Sequence, residues 1–169
     1  MDIFDILGPV MVGPSSSHTA GAARIGSMAR TLLGSKPTKA AIHLYGSFAD
    51  TGLGHGTDRA LVAGLLGMKP DDLRIPSAFE EAKKEGLTYT IDTIDLRDAH
   101  PNTAVIEAWG EGGKHLEMQA SSLGGGRIMV DKLDGIKVSF TGEYNTLVIR
   151  NLDYYSSEAA VTTILSQFR

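Results

Sequence analysis

Between Gly13 and Gly26 the chain reads GPSSSHTAGAARIG, and no other stretch limits its fold so strongly. An apolar extended segment, Ile6 to Val12, runs into three hydroxyls, an imidazole and then a series of residues with almost no side-chain volume. The spacing predicts a helix from about Ser17 to Leu33, stopped at Gly34 by a left-handed cap. Gly21, Ala22, Ala23 and Gly26 leave that helix too thin to fill a core, so it must press against another backbone or a close-fitting partner. At its start, a serine that satisfies one orphan N–H leaves others, with the positive end of the helix dipole, facing a carboxylate or phosphate. Three serines followed by His-Thr exceed what capping alone requires.

With 169 residues the chain suits one domain plus a fragment of a second. A net charge of -4 and no basic cluster argue against a nucleic-acid surface. No apolar run approaches a membrane span and no secretory leader opens the chain, so the expected location is the cytoplasm. There is no cysteine, hence no disulfide, thiol nucleophile or thiolate metal ligand within these residues.

The remaining pattern, taken with the family resemblance set out below, predicts an α+β fold, a mixed β-sheet with packed helices. Met1 to Leu7 reads as a turn of helix. Ala40 to Phe48 alternates as a strand. Gly52 to Asp58 reads as a glycine-rich loop entering a helix that carries Leu61, Val62, Leu65 and Leu66, with Thr57 or Asp58 as its cap. A helix over Pro76 to Lys84 stops at Gly86, and a strand covers Leu87 to Ile94. Ala99 to Thr103 is a proline turn. Ala104 to Trp109 and Lys114 to Ser121 form a hairpin across Gly110 to Gly113. The Gly124-Gly125-Gly126 run precedes Arg127 to Val130, and a further strand covers Lys137 to Thr141. After Tyr144 the pattern restarts with a strand, Thr146 to Arg150, a turn, Asn151 to Tyr155, and an amphipathic helix, Ser156 to Phe168.

Three turns each present a histidine beside hydroxyls or amides: His18 in PSSSHT, His55 in GHGTD and His100 in HPNT. A helix N-terminus disfavours imidazolium, so His18 and His55 are expected to be neutral near pH 7, able to accept a proton or bind a substrate. His43 and His115 sit in strands and read as structural.

ILGPVMVGPSSSHTAGAARIG (Ile6 to Gly26), YGSFADTGLGHGTDRA (Tyr45 to Ala60), HPNT (His100 to Thr103) and SLGGGRI (Ser122 to Ile128) closely resemble the beta subunit, or beta domain, of bacterial iron-sulfur-dependent L-serine dehydratases. That resemblance implies deamination of L-serine to pyruvate and ammonia. It also implies a cysteine-rich alpha subunit as partner, which ligates a 4Fe-4S cluster while this chain ligates no metal. Homodimerisation is left open. By the same resemblance His18 and His55 are the catalytic candidates, for proton transfer or for substrate binding. Ser15, Ser16, Ser17 and Thr19, with Gly56 and Thr57, would bind the substrate, and His100 with Asn102 would shape the pocket. Asp58 would cap its helix or orient His55, and the GGG run would allow close backbone approach to the site or the partner.

The implied division is a serine dehydratase beta domain over 1–142 and an incomplete ACT-like βα unit over 143–169. The latter carries Asp153-Tyr154-Tyr155-Ser156 where such units have an Asp-x-x-Gly turn. A competing reading is a non-catalytic amino-acid-binding regulatory module, akin to the effector domains of serine-biosynthetic dehydrogenases. The loop histidines favour the enzyme.

Overall fold

The computed structural model describes residues 10–149 and Thr162. A π-helical turn, Ser16–Gly21, leads directly into α1 (Ala22–Leu33). Then follow β1 (Pro37–Tyr45), α2 (Ser47–His55), α3 (Thr57–Leu65) and, after a 3₁₀ turn at Ile75–Ser77, α4 (Ala78–Glu85). The rest is strand: β2 (Thr88–Thr93), β3 (Thr103–Gly110), β4 (His115–Gly124), β5 (Arg127–Leu133) and β6 (Ile136–Phe140). They form one six-stranded sheet in the order β2-β1-β3-β4-β5-β6. β1 and β2 are parallel and every other pair is antiparallel, so the α+β expectation holds.

Register places Ile42, Ile106 and Met118 side by side, with Ala40, Ala108 and Leu116 in the next row. All six are buried, so one face of the sheet carries the core, and there α1 contacts β3, β4 and β5. The other face alternates to polar groups, among them the His43–Asp92 pair between β1 and β2. α1 and α3 cross without side chains between them. A Cβ on Gly26 would strike the Leu61 carbonyl and lie 2.9 Å from Leu65 N, and one on Gly64 would strike the Ala23 carbonyl and lie 2.7 Å from Ser27 N. The small-residue stripe is thus a backbone-to-backbone contact.

Several expectations need correction. The strand begun near Ala40 stops at Tyr45, because the chain turns at Gly46 and winds α2 from Ser47. The supposed loop over Gly52 to Asp58 is the end of α2, a break at Gly56 and the start of α3. Phe48, fully buried, anchors α2 to the core and outweighs its glycines. Neither Thr57 nor Asp58 caps α3, since the N-cap is Gly56 at φ 72, with no side-chain cap bond. Within this chain Gly124 and Gly125 approach no other residue closely, and both take the positive φ of the β4–β5 turn. Residues 145–149 carry no strand, because no described strand pairs with them. The helical turn at Met1 to Leu7 and the turn at Asn151 to Tyr155 lie outside the described residues. So does the helix at Ser156 to Phe168, except for Thr162, which is helical and exposed.

Candidate functional site

The π-helical turn exists because its first hydroxyl closes it. Ser15 is the N-cap in extended conformation, and its Oγ accepts from the His18 backbone N–H at 3.2 Å. Thr19 N donates to the Ser15 carbonyl at 2.8 Å. The widened turn brings the serines around the ring. Ser17 Oγ lies 3.0 Å and Ser15 Oγ 3.4 Å from His18 Nδ1, and the two hydroxyls are 3.3 Å apart. On the opposite edge, His18 Nε2 lies 3.2 Å from Ser47 Oγ, the first residue of α2. Phe48 packs edge-on against the ring at 5.3 Å. His18 is half-buried, so it is reachable from outside the core.

The HPNT turn is tied to the same end of the sheet through its backbone. Phe48 N donates to the Pro101 carbonyl, and Ser122 N to the Asn102 carbonyl at 2.9 Å. Ser122 in turn meets the π-helical turn, where a Cβ on Gly21 would lie 2.8 Å from Ser122 Cβ. His100 itself is exposed and its Nδ1 accepts from Asn102 N at 3.1 Å, so its ring folds onto its own loop. Thr103 Oγ1 donates to the His100 carbonyl at 2.6 Å and holds that loop closed. His55 ends α2, the helix whose first residue contacts His18; its side chain lies outside the described residues.

Two of the other candidates fall on a second feature. Thr19 and Gly56 line a cleft of about 270 Å³ with Val12, Gly13, Pro14, Arg59, Ile75 and Pro76. Thr19 is 2% exposed, and among the described residues neither its Oγ1 nor that of the fully buried Thr57 has a hydrogen-bond partner. Ser16 makes no side-chain bond among those described and is half-buried. Asp58 is buried and accepts from Arg59 N at 2.7 Å. Burial first, and then the carboxylates of Asp58 and Glu80, hold the nearby Tyr89 phenol above its usual range.

Two contributors were not legible in the sequence. Ser47 falls inside the predicted strand Ala40 to Phe48, and Arg59 carries no assigned role within the Tyr45 to Ala60 stretch. Only the turn at Gly46 could have signalled the first; nothing local signals the second.

A half-buried imidazole with a hydroxyl on each nitrogen is held in orientation and can pass a proton at either edge. Comparison with known proteins shows what kind of chain carries it. The serine dehydratase beta chain family matches residues 1–93. This chain belongs to that family. The probable L-serine dehydratase beta chain of Bacillus subtilis is 43% identical over 166 residues, covering 98% of this chain and 75% of that one. The L-serine dehydratase beta chain of Peptoniphilus asaccharolyticus is also 43% identical, over 96% of this chain and 72% of its own length. A longer L-serine dehydratase from Streptomyces coelicolor is 33% identical over 63% of this chain and 25% of itself. Among the described residues of this family member, no helix is long and apolar enough to cross a membrane, and no His, Asp or Glu cluster is arranged to hold a metal ion.

Proposed function

We propose that this chain is the beta component of a cytoplasmic L-serine dehydratase, which converts L-serine to pyruvate and ammonia. The observation that carries the reading is the 43% identity, over nearly all of this chain, to proteins named as L-serine dehydratase beta chains. Elimination breaks the Cα–H and Cβ–O bonds of serine, and a proton must leave Cα and another must reach the departing hydroxide. His18 is assigned the proton-carrying role with His55. Ser17 and Ser47 hold the His18 ring from its two edges, and because each hydroxyl can donate or accept they can serve either tautomer. Ser15, Ser16, Thr19, Gly56 and Thr57 are assigned to substrate binding, and His100 with Asn102 to the rim. Residues 143–169 are assigned to a second, ACT-like unit.

These 169 residues contain no cysteine and so do not fit an iron-sulfur cluster. The proposal gives the cluster to a cysteine-rich alpha chain. Anaerobic co-expression with the cognate alpha chain, followed by a pyruvate assay on L-serine, tests it. The expected result is a brown complex that forms pyruvate. A colourless homo-oligomer that binds serine, takes up no partner and yields no pyruvate would overturn it in favour of a regulatory module.

A further inference from the structure

We propose that the cleft between the Val12–Pro14 segment and the start of α3 binds a small-molecule carboxylate, with Arg59 as its charged ligand and Thr19 as its hydroxyl donor. This goes beyond the dehydratase reading, because it separates Thr19 and Gly56 from the His18 cluster and joins them to Arg59, to which that reading assigns no role.

Charge, polarity and shape agree on that class of ligand. Among the described residues, no carboxylate forms an ion pair with Arg59, and its neighbour Asp58 bonds only the Arg59 backbone N–H at 2.7 Å. The Arg59 guanidinium lies 5.3 Å over the Phe79 ring, which supports its plane and leaves its N–H edge for a planar, two-oxygen partner. Thr19 stands on the cleft wall, 2% exposed, with a hydroxyl that has no hydrogen-bond partner among the described residues. A cation would meet Arg59, and an apolar molecule would leave both groups unmatched. Val12, Pro14, Ile75 and Pro76 give apolar walls, and the cleft of about 270 Å³ has room for a small organic acid. The carboxylate of L-serine and a carboxylate that does not react share this chemistry.

Propionate titrated into the full chain, followed by NMR or calorimetry, is the test. Saturable binding is expected, weakened about tenfold to a hundredfold by Arg59→Gln and by Thr19→Val, while propionamide does not bind. Arg59 is exposed, so its replacement spares the core; should Thr19→Val not fold, Arg59→Gln decides alone. Absence of saturable propionate binding, or equal affinity in Arg59→Gln, overturns the proposal. Displacement of propionate by L-serine, with a raised KM for L-serine in Arg59→Gln complex, identifies the occupant as substrate. Lost propionate binding with unchanged KM identifies a second carboxylate. The KM arm rests on the dehydratase reading and the propionate arm does not. A complex without pyruvate formation would therefore sink that reading alone.

Discussion

Ser17 and Ser47 hold opposite nitrogens of His18, so replacing each should disturb a different edge of one ring. In the complex with an alpha chain, His18→Ala should lower pyruvate formation by about 100- to 10,000-fold without preventing assembly, the usual loss for a positioned acid or base. Ser47→Ala leaves the ring in place with one edge unpartnered by that hydroxyl. Its cost should be about tenfold in kcat, with KM little changed, in a steady-state assay. Ser15→Ala should lower stability by about 1 kcal/mol in a urea melt, because Ser15 Oγ closes the turn. The cluster was half legible in the sequence, for a physical reason. Ser15, Ser17 and His18 are contiguous, so a capped turn brings them together by itself. Ser47 arrives from 29 residues away, and only the fold puts it there. Arg59 and Pro14 become neighbours in the same way, through tertiary packing that no local pattern encodes.

At the scale of elements, the tightest constraint is the crossing of α1 and α3. Gly26→Ala and Gly64→Ala should each destabilise the fold by about 1 to 3 kcal/mol, since the added methyl meets main chain that cannot rotate aside. Gly56→Ala is a contrasting case. Its Cβ would meet nothing within 4 Å, but φ is 72, so only backbone strain remains, about 1 to 2 kcal/mol. Chemical denaturation of the three variants checks the ranking. α1, α4 and the antiparallel strands were readable because their apolar periods and glycine stops agree with their local propensity. α2 was not. Ser47, Asp50, Thr51, Gly52 and Gly54 are poor helix formers, and what holds the helix is a buried Phe48 contacting a core assembled from distant segments.

For the whole molecule, the α+β class follows from the pattern of elements together with the family resemblance, whereas the strand order does not: nothing local tells β2 to join β1 in parallel on the side away from β3. The purified chain alone should form no pyruvate from L-serine, because it has no thiolate for a cluster. A pyruvate signal from partner-free protein would contradict this. The cleft has a consequence for how the chain holds together. Its walls come from residues 12–14 and 19, from 56 and 59, and from 75–76, so they meet only after the crossover from β1 to β2 has wound and docked. A molecule seated there would act as a reversible cross-link among three loops of the unfolded chain. At a hundredfold excess over its dissociation constant it would add about 2.7 kcal/mol to the folded state. The melting temperature should therefore climb with the logarithm of propionate concentration, turning a thermal scan into a measure of whether that crossover is complete.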